Sequence, residues 1–182
     1  SSPTIGGAIT GLGIPPQSIK GIMGVFKAYS TRVGSGPMVT ELLDDVGEAI
    51  RERAQEYGAT TGRPRRCGWF DAVEAKYSVQ INGFTEIALT KLDILDHFET
   101  IKICTGYKFG GKITDRMSKV LSDLSDITPI YKTFKGWNQP TTGISSYPDL
   151  PESTQQYIQF IADNWFNGPG CSALSALLYQ KF

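Results

Sequence analysis

The sequence is poor in the residues that build metal sites and disulfide scaffolds. Its 182 residues include three widely spaced cysteines, Cys67, Cys104 and Cys171, with no CxxC pair, and a single histidine, His97. A structural zinc site needs a cluster of cysteine and histidine ligands, so the sequence indicates none. Scattered cysteines are typical of a reducing compartment, and we therefore expect a cytoplasmic protein.

The chain also lacks an excess of charge and a long apolar run. Lys and Arg together number 18, the same as Asp and Glu together, so the formal net charge at pH 7 is zero. A neutral chain has no strong field to attract polyanions, and we expect no nucleic-acid partner. No apolar stretch approaches the roughly 20 residues that cross a bilayer. Residues 1–13 also lack the pattern of a signal peptide, so we expect no membrane partner.

The first segment of the chain is rich in glycine and proline. Four glycines between residues 6 and 13 precede Pro15-Pro16, and this composition predicts a strand or loop that leads into a helix. Apolar residues then recur at helical spacing, which predicts a helix from about Pro16 to Tyr29. These residues are Ile19, Ile22, Met23 and Phe26.

Later segments carry further signals for helices and strands. Thr40 offers an N-cap hydroxyl for a helix that ends at Gly58, and Asp71 with Glu74 resembles the capping box of another helix. The apolar run Ile87–Thr90 predicts a buried strand. Other signals predict a strand over residues 99–109, a turn at Gly110-Gly111 and a helix from Pro151. Helices that alternate with buried strands indicate an α/β fold.

The densest candidate site is the loop 59–66, with the sequence ATTGRPRR. Its arginines, Arg63, Arg65 and Arg66, present planar donors that suit phosphate and carboxylate groups, and the threonine hydroxyls add further donors. One interpretation is therefore an anion-binding cradle. The other is a solvated basic loop whose arginines pair with nearby acidic residues.

A second candidate site is Thr90-Lys91-Leu92-Asp93, at the end of a predicted buried strand. Ligands of open α/β sheets bind at such strand ends. The carboxylate of Asp93 can accept both the ring N–H and the exocyclic amine of guanine, and the stem of Lys91 can cover the base. The alternative is a capped strand end with an exposed ion pair.

Several long motifs, taken in order, resemble those of the adenylosuccinate synthetases. They are residues 25–37 (VFKAYSTRVGSGP), Glu41-Leu42, residues 58–69, residues 89–95 and Ile101–Cys104. The resemblance implies that residues 1–170 are the C-terminal portion of such an enzyme. It fades after Gly170, and residues 171–182 (CSALSALLYQKF) form a divergent tail. The implied fold is α/β and related to the P-loop NTPases, with a mostly parallel sheet and flanking helices.

The resemblance also implies ligand-binding roles for individual residues. The aspartate-binding elements would be Val33 and the loop Ala59, Thr60, Thr61, Gly62, Arg63, Pro64 and Arg65. Within this loop, Arg63 would also reach IMP and Arg65 would also contact GTP. The guanine pocket would be formed by Lys91, Leu92 and Asp93, and a turn at Asn167-Gly168-Pro169 would close it.

The family reaction joins IMP and L-aspartate at the expense of GTP, with Mg²⁺ as the metal ion, in AMP biosynthesis. The O6 of IMP is phosphorylated, and the aspartate amine then displaces phosphate to give adenylosuccinate.

The family's phosphate loop, catalytic residues and magnesium ligands belong to its N-terminal half. We therefore expect no catalytic residue and no metal ligand in this segment, and no activity from it alone. The resemblance also implies a homodimer. The alternative is a non-catalytic fragment that retains at most anion or nucleotide binding.

Overall fold

The computed structural model describes residues 2–117, 127–165 and 173–174. The helices within these residues are α1 (Ile5–Leu12), α2 (Asp45–Ala54), α3 (Ala72–Asn82) and α4 (Glu152–Trp165). The strands are β1 (Met23–Lys27), β2 (Tyr29–Arg32), β3 (Arg66–Asp71), β4 (Glu86–Thr90), β5 (Thr100–Phe109), β6 (Lys112–Thr114), β7 (Thr128–Lys135) and β8 (Ala173–Leu174). Residues 118–126, the predicted turn at Asn167-Gly168 and most of the tail lie outside the described residues.

The strands form two sheets. The first has three parallel strands in the order β1-β4-β8. In the second sheet, β3 and β5 are parallel, whereas β2 pairs with β3, and β6 and β7 pair with β5, in antiparallel register. The prediction of an α/β fold with a parallel sheet and flanking helices is confirmed. The antiparallel strands β2, β6 and β7 of the second sheet were not indicated by the sequence pattern.

The hydrophobic core joins both sheets to α2 and α4. Ile50 of α2 and Tyr157 of α4 are fully buried in it, together with Leu89 of the parallel sheet and Ile103 of the second sheet. The hydroxyl of Tyr157 donates a 2.8 Å hydrogen bond to the carbonyl of Ala28, between β1 and β2. This bond fixes α4 against the point at which the chain passes from one sheet to the other.

Several local predictions are confirmed. Helix α3 begins after Asp71, whose Oδ1 accepts hydrogen bonds from the amides of Val73 at 3.0 Å and Glu74 at 3.2 Å. It ends at Gly83, which adopts a left-handed conformation with φ 61°. The predicted strands correspond to β4 and β5, the Gly110-Gly111 turn joins β5 to β6, and the helix after Pro151 is α4.

The prediction of a helix from Pro16 to Tyr29 is wrong. Only residues 16–18 form a short 3-10 turn, and the chain then enters β1 and β2. Met23 and Phe26 lie in β1, which pairs with β4, and the chain continues into β2, which pairs with β3. These partners lie far along the sequence and leave no signal in a local window.

Two helix starts also differ from expectation. The glycine-rich opening forms α1, whose first amide, that of Ile5, donates a 2.8 Å hydrogen bond to Oδ1 of Asn82 in α3. A tertiary contact thus stabilises a helix that its composition disfavours. Helix α2 begins four residues later than Thr40 would place it, because the side chain of Asp44 caps it by accepting from the amide of Gly47.

Candidate functional site

The predicted guanine-binding segment follows the carboxyl end of the parallel sheet. Lys27 ends β1, Thr90 ends β4, and the two residues are paired in the parallel register. Lys91 then adopts a left-handed conformation, with φ 61°, which turns the chain out of the strand and into the 3-10 helix Leu92–Leu95. This end of the strands is where open α/β sheets bind their ligands.

Asp93 is the acidic residue of this segment. Its side chain is half-buried and makes no hydrogen bond or ion pair with any of the residues described by the structure. Leu92 beside it is buried, 3% exposed, and anchors the segment in the core. Nζ of Lys91 lies 3.5 Å from Oε1 of Glu56, so the ion pair at this strand end joins Lys91 to Glu56 and does not include Asp93.

Glu56 organises the space between the two predicted sites. It follows α2, is 1% exposed, and its Oε1 accepts hydrogen bonds from Nζ of Lys27 and from the hydroxyl of Tyr29, both at 2.7 Å. Nζ of Lys91 lies 3.5 Å from the same oxygen. Nη1 of Arg65 donates to the other oxygen, Oε2, at 2.7 Å. One buried carboxylate therefore holds side chains from three segments of the chain.

The electrostatics of this cluster keep Glu56 charged. Burial on its own would raise the pKa of Glu56, but the hydrogen bonds from Lys27 and Tyr29 and the charges of Lys27 and Lys91 outweigh that effect and lower the pKa to about 2. Burial, followed by the hydrogen bond to Glu56, raises the pKa of Tyr29. Tyr29 is thus a neutral donor and Glu56 an ionised acceptor at neutral pH.

The end of α2 supports both candidate sites at once. Nε of Arg51 donates a 2.8 Å hydrogen bond to the carbonyl of Arg65, and Nε of Arg53 donates to the carbonyl of Ile94 at 3.1 Å. Nζ of Lys91 also donates to the carbonyl of Ala54 at 3.3 Å. The loop 59–66, called the arginine loop below, and the segment after β4 are therefore attached to the same end of α2.

The arginine loop is a narrow excursion between α2 and β3. The amide of Gly58 donates to the carbonyl of Arg63, and the amide of Gly62 donates back to the carbonyl of Gly58, both at 2.8 Å. Gly62 has φ 64°, a conformation that favours glycine. Residues 59–64 are exposed. Oγ1 of Thr61 accepts a hydrogen bond from the amide of Arg63 at 3.4 Å.

The three arginines of the loop have different environments. Arg65 pairs with Glu56, and the guanidinium of Arg66 donates to the carboxylate of Glu41. Arg63 is exposed and has no side-chain partner in the described part of the chain. The interpretation of arginines paired with acidic residues thus applies to Arg65 and Arg66, and Arg63 remains available to a ligand. Nε of Arg65 is buried and also lacks a hydrogen-bond partner among the described residues.

Val33 lies beside this loop. It follows Arg32, which pairs with Arg66 in the antiparallel register of β2 and β3, and it is 71% exposed. The guanidinium of Arg66 donates to the carbonyls of Gly34 at 3.0 Å and of Gly36. The sheet and Arg66 therefore place Val33 near Arg65, at the end of the loop 59–65.

Glu56, Lys27 and Tyr29 were not among the residues singled out in the sequence. Lys27 and Tyr29 fall in the segment predicted to be helical, so its strand end could not be recognised. The position of Lys27 in the parallel register opposite Thr90 is a long-range feature. Glu56 carries no local motif, because its role arises only when α2, β1 and β4 meet.

The described residues hold no group of three or more His, Cys, Asp or Glu side chains placed to bind a metal ion. No helix in the described residues is long and apolar enough to span a membrane. Cys67 and Cys104 are buried free thiols, and burial raises the pKa of Cys67 to about 11.

Comparison with known proteins identifies the family. The profile of the adenylosuccinate synthetase family matches residues 1–166. The chain is 52% identical over 165 residues to the adenylosuccinate synthetase of Thermodesulfovibrio yellowstonii, covering 90% of this chain and 39% of that protein. It is 52% identical over 163 residues to that of Candida albicans, covering 90% and 38% respectively.

A solved structure gives the same result. The fully ligated adenylosuccinate synthetase from Plasmodium falciparum superimposes with a TM-score of 0.83 and 38% identity, covering 91% of this chain and 40% of that one. The two chains share an α/β fold, and in this chain polar residues lie at the carboxyl end of the parallel strands β1 and β4. The chain belongs to the adenylosuccinate synthetase family, and it spans about two fifths of the length of the relatives it matches.

Proposed function

We propose that this chain carries the guanine-nucleotide pocket and the aspartate-binding loop of an adenylosuccinate synthetase. We further propose that residues 1–170 correspond to the C-terminal portion of that ligase, with residues 171–182 as a divergent tail. The observation that carries the proposal is Asp93, a half-buried carboxylate with no partner among the described residues, at the carboxyl end of a parallel strand. A cytoplasmic location and a homodimer follow from the family resemblance.

The guanine pocket would work through complementary hydrogen bonds. Both oxygens of the Asp93 carboxylate accept, which matches the ring N–H and exocyclic amine of guanine, whereas adenine presents a different pattern of donors and acceptors. Lys91, attached to Glu56 and to the carbonyl of Ala54, would lay its alkyl stem along the base. The turn at Asn167-Gly168, which lies outside the described residues, would close the pocket.

The aspartate site would be the edge formed by Val33 and residues 59–65. The side chain of Arg63 is exposed there without a partner among the described residues, and Thr60 and Thr61 beside it are also exposed. A guanidinium group with several neutral donors suits the carboxylates of L-aspartate and the phosphate of IMP. Arg65, held by Glu56, would reach toward the GTP side.

In the complete reaction, GTP phosphorylates the O6 of IMP and the aspartate amine then displaces phosphate. The residues of this chain would bind and orient guanine and aspartate for those steps. The family reaction uses Mg²⁺. The described residues hold no group of three or more His, Cys, Asp or Glu side chains placed to bind a metal ion, and we assign no step through Mg²⁺ to them. Phosphoryl transfer depends on metal and phosphate contacts, so we expect the chain alone to form no adenylosuccinate.

A second candidate is a non-catalytic fragment that retains at most anion or nucleotide binding. The observation that favours it is the exposed side chain of Arg63, which has no partner among the described residues and can bind an anion without a guanine pocket. The two candidates make the same prediction for activity of the isolated chain and different predictions for its binding sites, so binding decides between them.

Amide chemical shifts of the labelled chain, followed by NMR during separate additions of GDP and L-aspartate, test the proposal. We expect GDP to shift the amides of residues 90–95 and L-aspartate to shift those of residues 59–65. Shifts from both ligands at the arginine loop alone would indicate general anion binding and would support the second candidate. The absence of any shift with GDP would overturn the guanine pocket.

A further inference from the structure

We propose that Glu56 is a positioning residue that determines the selectivity for guanine, because it holds Lys27 and Lys91 away from Asp93. The inference rests on the proposed function, since it concerns how the carboxylate of Asp93 is kept available to the base. Glu56 itself would not touch the ligand. It would act through the two lysines and through Arg65.

The arrangement of charges indicates that Glu56 positions the neighbouring cations and does not help to attract an anionic nucleotide. Three cations, Lys27, Arg65 and Lys91, surround the single carboxylate of Glu56. The negative charge of Glu56 weakens the attraction of these three cations for an anionic nucleotide. A site whose only requirement was positive charge would therefore not need Glu56. Its presence is explained if the cations must be held in fixed places.

By holding the lysines, Glu56 keeps the carboxylate oxygens of Asp93 available to the base. Asp93 lies two residues from Lys91, and it is close enough to the cluster for its charge to contribute to the raised pKa of Tyr29. A free lysine beside a half-buried carboxylate would pair with it and occupy the oxygens that read guanine. In the structure Asp93 instead has no partner among the described residues, because Glu56 takes the lysines.

The strength of the restraint follows from burial. The side chain of Glu56 is 2% exposed, whereas those of Lys27 and Lys91 are 29% and 37% exposed. A buried acceptor in a medium of low dielectric holds its donors more firmly than one in water. The hydroxyl of Tyr29 adds a neutral donor at 2.7 Å, which fixes the orientation of the carboxylate without adding charge.

The test measures the dissociation constants of GDP, ADP and inorganic pyrophosphate by isothermal titration calorimetry. It compares the unmodified chain, Glu56→Gln and the matched control Glu152→Gln. Glu152 is an exposed residue of α4 whose carboxylate accepts only from Gln156 among the described residues. The glutamine at position 56 keeps the shape of the side chain and removes the charge that holds the lysines.

We expect Glu56→Gln to bind pyrophosphate at least as tightly as the unmodified chain does. Its preference for GDP over ADP should fall by about tenfold or more, equivalent to about 1.4 kcal/mol. The control should change neither quantity. Simple loss of structure would instead weaken all three ligands together. A Glu56→Gln chain that remains folded and keeps its full preference for GDP would overturn the inference and leave the proposed function intact.

Two further outcomes are decisive. If the unmodified chain does not bind GDP, the proposed function fails and this inference fails with it. If Glu56→Gln does not fold, Lys27→Met decides, because it removes one cation and leaves the carboxylate free to hold Lys91 more closely. Weaker pyrophosphate binding with the GDP preference retained supports the inference, and loss of that preference overturns it.

Discussion

Nζ of Lys27 donates a 2.7 Å hydrogen bond to Oε1 of Glu56, and this contact joins the end of β1 to the end of α2 across 29 residues of sequence. Lys27 lies opposite Thr90 at the carboxyl end of the parallel sheet, so the contact places α2 beside the segment that begins with Lys91. The same carboxylate also holds Arg65. The geometry of both candidate sites thus depends on one buried ion-pair cluster.

Asp93→Asn tests whether the Asp93 carboxylate recognises guanine through hydrogen bonds. The substitution replaces one acceptor oxygen with a donor, so it should weaken binding of GDP by about 1–3 kcal/mol and leave ADP binding nearly unchanged. Calorimetric titration of both nucleotides measures the difference, and the exposed Asp149→Asn provides the control. Equal losses for GDP and ADP would show that Asp93 has a structural role only.

Arg63→Ala and Arg65→Ala should separate ligand binding from stability. Arg63 is exposed and has no side-chain partner in the described chain, so its loss should change the free energy of unfolding by no more than about 0.5 kcal/mol while L-aspartate binding weakens. Arg65 neutralises the buried Glu56, and its loss should destabilise the fold by about 1 kcal/mol or more. Urea unfolding and aspartate titration of each variant check both statements. Equal effects on stability would contradict the assigned pairing.

The lowered pKa of Glu56 predicts a loss of stability in acid. Its pKa is about 2 in the folded chain against an ordinary value of 4.5, so the unfolded state takes up the proton first as the pH falls. This contribution is fully present above pH 4.5 and is lost as the pH falls to about 2. Urea unfolding across that range should show a shallower decline for Glu56→Gln than for the unmodified chain. Parallel declines would contradict the cluster.

Glu74 should have the opposite pH dependence. Burial and then the negative charge of Asp71 raise its pKa from 4.5 to about 7, against the opposing charge of Arg32. The unfolded state therefore releases the proton first, and stability falls as the pH rises from 4.5 to about 7. Glu74→Gln should stabilise the chain at about pH 8 and have little effect at about pH 4. A gain of equal size at both pH values would rule out the ionisation of Glu74 as its cause.

Local signals in the sequence predicted the elements whose ends are set by neighbouring residues. Asp71 and Gly83 define α3 through hydrogen bonds and a backbone conformation that need no distant partner, and both could be recognised. The apolar run Ile87–Thr90 corresponds to β4 because a strand buried on both faces is apolar throughout. The same logic located Lys91 and Asp93 at a strand end.

The failures occurred where a distant partner decides the conformation. The spacing of Ile19, Ile22, Met23 and Phe26 fits a helix, but the pairing of β1 with β4 imposes a strand. That error also concealed Lys27 as a strand-end residue. Glu56 could not be recognised in advance, because a glutamate after a helix becomes a buried centre only when three segments converge on it.

The most direct measurement is the pair of dissociation constants of the unmodified chain for GDP and ADP, determined by calorimetry on one preparation. A pocket in which Asp93 accepts two donors from guanine should bind GDP more tightly than ADP by about tenfold or more, the equivalent of about 1.4 kcal/mol. Equal affinities, or no binding of GDP, would contradict the assignment of a guanine pocket to residues 91–93.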